Sequence, residues 1–208
     1  MLPYLIFGAS YAFAAAVQPG QFQAYLISRT LANGWRRTLP AVFAPILSDV
    51  PIVSLVLVVL TQVPPLFVFV LRLAGGVFLL YLAAGALRAY RNYEAVAAAP
   101  PVSAQRTVAE AALVNLLNPN PYLGWALILG PTLIQAWRQT PAAGVALVVA
   151  FYSTLAIASS ALVLLFALAR SLGPRVARTL VGISAAALAA FGGYQIWAGL
   201  AALLSVAD

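Results

Sequence analysis

The feature that most constrains this chain is a succession of apolar runs, each about twenty residues or longer. Six can be drawn between short polar segments: 3–28, 39–62, 65–88, 107–133, 141–169 and 177–203. Each is long enough to cross a hydrocarbon core of about 30 Å as a helix. Only 7% of the residues are charged, whereas soluble domains carry about 25%. The sequence therefore predicts an all-α integral membrane protein with six transmembrane helices.

Two of these runs, the first and the fourth, are interrupted by clusters of proline and amide residues. Pro19 and Pro119 lie one hundred residues apart, and each directly follows an amide residue. A proline at such a position removes backbone hydrogen bonds that lipid cannot replace. Paired interruptions in corresponding halves of a membrane protein point to the binding site of a transporter. We therefore predict that helices 1 and 4 are broken at these prolines, with a site between them.

Neutral polar side chains surround both breaks, where half-helix ends also leave backbone N–H and C=O groups unpaired. Amides together with such groups suit a zwitterion, whose carboxylate and ammonium need opposite partners. The same amides can instead satisfy the broken backbone, and both roles can hold at once. The predicted substrate-binding residues are Gln18, Pro19, Gly20, Gln21, Asn115, Asn118, Pro119, Asn120 and Tyr122.

Asp49 is the one carboxylate well inside a predicted span. An ionised carboxylate at that depth costs about 2.5–3.5 kcal/mol, so it should face the protein interior or water. Because burial disfavours the charged form, Asp49 could exchange a proton during transport. It is therefore the predicted proton-coupling residue, with a structural role beside a nearby donor as the alternative.

Arg72 lies in the third span, about a turn and a half nearer the outer surface than Asp49. Three roles are open to it: it can extend to the membrane surface, pair with Asp49 or hold a substrate carboxylate. If Arg72 pairs with Asp49, it is the possible charge partner of this buried acid.

The orientation in the membrane follows from the distribution of arginine, which accounts for all eleven basic residues. Nine arginines lie in the first, third and fifth loops between the apolar runs. Loops rich in basic residues stay in the cytoplasm, so both termini are expected outside it. The net charge of +7 is thereby interpreted as a topology signal, and nucleic acid is not an expected partner.

A single transmembrane domain, 1–208, is expected, with two halves joined by the connection 91–106. Because repeat one (1–90) and repeat two (107–208) each contain three spans, the second half is inverted relative to the first, as in many secondary transporters. The small and proline-rich residues of the connection favour a flexible cytoplasmic linker. Six helices enclose only a small interior, which leaves a homo-oligomer possible.

The residue types that are missing exclude several classes of chemistry. The chain contains no cysteine and no histidine, which excludes disulfides, Cys/His metal sites and imidazole acid–base catalysis. It also lacks a glycine-rich phosphate-binding motif, so nucleotide hydrolysis is not expected to drive it. We predict a protein that is not an enzyme and that holds no cofactor and no metal.

The residues around both breaks resemble those of the LysE-type translocators, the lysine exporter and threonine/homoserine efflux family. The similarity runs from about residue 8 to residue 200, and its most specific element is the Asn-Leu-Leu-Asn-Pro segment at 115–119. The other matches are Pro19-Gly20, the basic loop 33–37, Asp49, the stretch 72–75 and Tyr81-Leu82.

This resemblance implies six helices, a bacterial inner-membrane location and export of amino acids or similar metabolites. It also implies a central site made of Pro19, Gly20, Asp49, Asn118 and Pro119. Two positions depart from the family pattern: Gln21 stands where a proline is usual, and Asn120 stands where lysine is favoured. Because the charge at the second break is missing, lysine specificity is not carried over.

The sequence predicts a secondary active exporter of a small polar metabolite. Among such metabolites, it favours an amino acid or a derivative. Its expected partners are that substrate, protons or another ion, and membrane lipids. The alternative is a lipid or envelope-precursor transporter with a laterally open groove.

Overall fold

The computed structural model describes residues 1–18, 20–56, 65–92 and 102–207. Pro19, the end of the second predicted span and most of the predicted linker 91–106 lie outside the described residues. Within the described part of the chain, every regular element is a helix. The α-helices are α1 (Leu2–Val17), α2 (Gln21–Asn33), α3 (Trp35–Thr38), α4 (Ala44–Ser54), α5 (Pro65–Arg91), α6 (Ala104–Leu116), α7 (Pro119–Gly124), α8 (Gly130–Gln139), α9 (Pro141–Ser171) and α10 (Pro174–Ala207).

Three of these helices are long and apolar enough to cross a membrane. They cover Leu66–Arg91, Pro141–Ser171 and Pro174–Ala201, with mean hydropathies of 2.3, 2.1 and 1.5. They correspond to the third, fifth and sixth predicted spans. The all-helical architecture expected from the apolar runs is therefore confirmed for the described residues.

The other predicted spans consist of shorter helical pieces. The first contains α1 and α2, and the second contains a 3₁₀ helix, Leu39–Phe43, followed by α4. The fourth contains α6, α7, a π-helix at Trp125–Leu129, and α8. Pro119 is the first residue of α7, where the missing N–H of proline costs no helical hydrogen bond. The chain is thus interrupted at both of the predicted breaks.

Helix packing brings sequence-distant elements together. α5 packs along α10, α1 along α9, and α4 against α6, while α2 contacts α6, α9 and α10. Backbones approach closely where α5 meets α10, because a Cβ atom on Gly76 would lie 2.8 Å from the carbonyl oxygen of Gly192. Small residues at such crossings allow helices to pack tightly in a membrane.

Contacts between the three arginine-containing loops define one end of the molecule, which we call the arginine-rich end. Arg29, beside the first loop, pairs with Glu110 on α6. Arg178 Nε donates to the carbonyl oxygen of Tyr90 at 3.1 Å, which joins the fifth loop to the end of α5. The loops that the arginine count assigned to one side therefore lie at one end of the fold.

Two apolar clusters fill the interior. The inner cluster, nearer the arginine-rich end, includes Phe22, Tyr25 and Val114. The outer cluster includes Tyr122, Trp125 and other residues beyond the second break. The helix breaks therefore fall between two packed layers.

Candidate substrate cavity between the helix breaks

A cavity of about 410 Å³ lies at the two helix breaks. This volume falls within the range of about 300–1,000 Å³ that is usual for small-molecule sites. Its polar lining comes from Tyr11, Gln18, Gly20, Gln21, Gln23, Asp49, Asn115, Asn118 and Asn120. Apolar walls are added by Ala15, Leu127, Phe151 and Leu155, among others. Part of the lining therefore comes from α1 and from the segment after the second break. Both of these segments run from the breaks toward the end of the molecule opposite the arginine-rich end.

Asp49 is the charged group of this cavity, and it is only 4% exposed. Its carboxylate accepts hydrogen bonds from three helices: from Asn115 Nδ2 at 2.7 Å, from Tyr152 OH at 3.0 Å and from Trp125 Nε1 at 3.4 Å. Asn115 Nδ2 also lies 2.8 Å from Ser48 Oγ. Donors on the fourth and fifth predicted spans therefore converge on one acid of α4.

The carboxylate has hydrogen-bond donors but no cationic partner among the described residues. The ion pairs found there join Arg29 and Arg106 to Glu110, and neither includes Asp49. A buried charge without an opposite charge is costly even when it is hydrogen-bonded. The site is therefore suited to accept a proton or a positively charged ligand group.

Arg72 does not take the role of charge partner that the sequence suggested. Its Nη1 donates to the carbonyl oxygen of Ala198 on α10 at 2.9 Å, and the residue is not part of the cavity lining. Of the three roles left open by the sequence, the pair with Asp49 is not formed in this structure, since the third span packs along the sixth and directs Arg72 to that helix.

At the first break, the backbone at the start of α2 is left open toward the cavity. Gly20 precedes the helix in an extended conformation, with φ −154° and ψ 179°, and no side-chain hydrogen bond caps this terminus. On the other side of the break, Gln23 Nε2 donates to the carbonyl oxygen of Ala15 at 2.9 Å. One amide thus satisfies the end of α1, while the N–H groups that begin α2 have no capping side chain.

Gln21 differs from Gln23, although both line the cavity. Its side chain is buried, with 7% exposure, and its Oε1 atom has no hydrogen-bond partner within the part of the chain that the structure describes. Leaving a buried polar atom unpaired costs about 1–3 kcal/mol. A turn of the carboxamide toward the cavity would let a ligand supply the missing partner.

The second break is closed more completely. Asn118 caps α7, because its Oδ1 accepts a hydrogen bond from the backbone N–H of Asn120 at 3.1 Å. Tyr122 OH donates to the carbonyl oxygen of Leu116 at 3.0 Å and so satisfies the end of α6. A side chain that follows the break thereby pairs with a carbonyl that precedes it, as Gln23 does at the first break.

The structure brings most of the sequence-predicted site residues to one cavity. Those that line it are Gln18, Gly20, Gln21, Asp49, Asn115, Asn118 and Asn120. Pro119 and Tyr122 are buried beside the second break without belonging to the lining. No group of three His, Cys, Asp or Glu side chains that could hold a metal ion occurs in residues 1–18, 20–56, 65–92 and 102–207.

Sequence reasoning did not assign three aromatic residues to the site: Tyr11 in the lining, and Trp125 and Tyr152 on Asp49. Trp125 and Tyr152 carry a donor on an otherwise apolar ring, which usually finds a partner when buried. Helical spacing alone gives Tyr152 no polar neighbour, so only the tertiary contact with Asp49 identifies it.

An ionic cluster forms part of the arginine-rich end. Glu110 on α6 is paired with Arg29 on α2 and with Arg106 at 3.0 Å. Tyr25 OH, which is 1% exposed, lies 3.0 Å from Glu110 Oε2 and 2.9 Å from the carbonyl oxygen of Thr107. We call the residues that connect α2 with α6, Tyr25, Arg29, Thr107 and Glu110, the ionic latch. They join the two half-helices that lead from the breaks to that end.

A helical membrane protein with a polar cavity at two helix breaks belongs structurally with small-molecule transporters. The sequence profile of the LysE type translocator family matches residues 13–199, so the chain belongs to this family. No curated protein and no solved structure matches the chain. The family consists of transporters, which are not enzymes, and the chain is accordingly a multi-pass membrane exporter of small molecules such as amino acids.

Proposed function

We propose that this protein is a secondary active exporter of an amino acid or a similar small zwitterion, and that Asp49 couples export to protons. The observation that carries the proposal is the buried Asp49 carboxylate in the wall of a cavity of about 410 Å³. Family membership supports the export of small molecules. The substrate and the coupling ion are the parts that are proposed.

Coupling follows from the charge state of the cavity. Asp49 has three donors and no cation among the described side chains, so a proton or a ligand ammonium can neutralise it. If the two compete, a proton that enters from outside displaces the substrate there. The loaded and the protonated forms then cross the membrane in opposite directions, which is proton–substrate exchange.

The six-span inverted repeat is proposed on the pattern of helix packing. Exchange of the two halves would relate spans 1, 2 and 3 to spans 4, 5 and 6. The contact of α1 with α9 and that of α4 with α6 are equivalent under this exchange, and the contact of α5 with α10 is its own equivalent. The matching side-chain bonds across the two breaks, from Gln23 and Tyr122, further support it.

Alternating access about the cavity is proposed on the asymmetry of its surroundings. The ionic latch lies at the arginine-rich end, and the inner cluster packs beside it. By the positive-inside rule that end faces the cytoplasm, so both termini lie outside it in a bacterial inner membrane. The arrangement then corresponds to a state that is closed toward the cytoplasm.

The alternative function, transport of a lipid or an envelope precursor, is less well supported by the cavity. Its lining contains the side chains of three glutamines, three asparagines and Asp49. An acyl chain gains nothing from such groups, which would lose hydrogen bonds to water without replacement. The possible homo-oligomer also remains a proposal, and the cavity described here is formed within one chain.

The proposed function is tested by reconstitution into liposomes and a screen of amino-acid counterflow with and without a pH gradient. The proposal expects gradient-stimulated flux of one group of amino acids. Flux of no amino acid by folded protein, together with transfer of a fluorescent phospholipid between leaflets, would favour the alternative.

A further inference from the structure

We infer that the cavity binds its zwitterionic substrate in one orientation, with the carboxylate at the N-terminus of α2 and the ammonium at Asp49. The Gln21 carboxamide is assigned as the specificity-determining group between these two positions. The inference rests on the proposed function and adds to it the chemical groups that the cavity selects.

The N-terminus of α2 supplies the carboxylate position. This helix has 13 residues, and it begins at the cavity with Gly20 as its N-cap and without a side-chain cap. The first backbone N–H is a donor that the helix itself does not use, and the helix dipole adds a partial positive charge. Such a terminus binds a carboxylate without the help of a basic residue, and no arginine lines this cavity.

Gln21 provides an independent indication that a ligand belongs here. The side chain is more than nine-tenths buried, its Oε1 atom has no partner among the described residues, and the residue lines the cavity. A carboxamide has both donor hydrogens and an acceptor oxygen. It can therefore donate to a ligand carboxylate and accept from the neighbouring ammonium of the same molecule.

Asp49 completes the arrangement as the anionic group of the cavity. Its donors are held in place by three helices, so the carboxylate position is fixed before a ligand arrives. A cationic group that approaches it finds the opposite charge that the described side chains do not provide. The positive end of the α2 dipole lies at one break, and the negative Asp49 carboxylate lies in the neighbouring wall. Together they match the two charges of one zwitterion.

The first test compares three ligands in counterflow by wild-type protein. They are the amino acid with the largest flux in the screen, its carboxamide, and the amine that remains when its carboxylate is removed. The inference expects at least a tenfold loss of flux for the carboxamide and for the amine. Equal flux for all three would overturn the inference and leave the proposed function intact, whereas flux of no amino acid would contradict both.

The second test fills the carboxylate position from the protein itself. Gly20→Asp places a capping carboxylate at the N-terminus of α2, and Gly20→Ala is the matched control for added volume. The extended backbone of Gly20 is one that an N-cap side chain adopts. In both variants the added Cβ atom would lie 3.0 Å from Gln23 Oε1, so any displacement of the Gln23 carboxamide is common to the pair.

Gly20→Asp is expected to melt no lower in detergent than Gly20→Ala, because aspartate is a favourable cap. Its amino-acid flux should nevertheless fall at least tenfold below that of the alanine variant. Flux in Gly20→Asp that equals that of Gly20→Ala would overturn the assignment. In addition, Gln21→Met should raise the KM for the amino acid at least fivefold, and an unchanged KM would remove Gln21 from the site.

Discussion

The ionic latch makes a quantitative prediction about which end of the cavity is open. Glu110→Gln removes the negative charge that Arg29 and Tyr25 contact, while it keeps the shape of the side chain. We expect this variant to open toward the arginine-rich end far more often than the wild type, because the latch exists only while α2 and α6 are together at that end.

The magnitude follows from the burial of the groups. The side chains of Arg29 and Glu110 are 22% and 12% exposed, and hydrogen bonds to charged groups are worth about 1.5–3 kcal/mol each. Glutamine can still accept one of the two bonds that reach Glu110 from α2. The closed state then loses about 2 kcal/mol of stabilising free energy relative to the open state. This loss lowers the ratio of closed to open protein about 30-fold.

The absence of cysteine from the chain makes the assay direct. Ala15 lines the cavity, and Ala15→Cys introduces a single thiol there. A membrane-impermeant maleimide is applied to inside-out and right-side-out vesicles, and the labelling rates are compared. The Ala15→Cys protein should be labelled from the side opposite the arginine-containing loops. Adding Glu110→Gln should raise its labelling from the loop side at least tenfold.

Arg106→Gln is the matched control for the assay. Arg106 is 62% exposed and pairs with Glu110 within one helix, and such pairs are worth about 0.3–0.5 kcal/mol. Its labelling pattern should therefore stay close to that of the parent protein. If Glu110→Gln also labels like the parent, the latch does not hold the arginine-rich end closed and the reasoning is refuted.

Two further predictions concern Asp49 and the packing of α5 on α10. Tyr152→Phe removes a donor 3.0 Å from the Asp49 carboxylate, while Trp125 Nε1 still reaches the same oxygen. Flux should fall at least tenfold, and the melting temperature in detergent should fall modestly. Unchanged flux would show that this bond does not matter for transport. Gly76→Ala should lower the melting temperature, since overpacking costs about 1–3 kcal/mol and the added Cβ would lie 2.8 Å from a backbone oxygen. Gly193→Ala, whose Cβ meets nothing within 4 Å, should not lower it, and equal losses in both variants would contradict the packing described.

Features that depend on local chemistry could be predicted from the sequence. Pro119 and the amides beside it disrupt a helix wherever that helix packs, so the break was predictable from composition. The same holds for Asp49, because a carboxylate in an apolar span must find polar surroundings. Both predictions use rules that act within a few residues.

Features that depend on contacts between distant helices could not be predicted in this way. Tyr152 reaches Asp49 across 103 positions of sequence, and the Arg72 guanidinium finds the carbonyl oxygen of Ala198 across 126. Glu110 pairs with Arg29 across 81 positions. Hydrophobic periodicity carries no information about which helices become neighbours.

Proton coupling at Asp49 can be measured through the response of transport to a proton gradient. Counterflow of the best amino-acid substrate is measured in liposomes with and without an inward proton gradient, for wild type and for Asp49→Asn. If Asp49 couples export to protons, the gradient accelerates the wild type, and folded Asp49→Asn loses this acceleration. Equal flux in the two proteins, with the same dependence on the gradient, would contradict it.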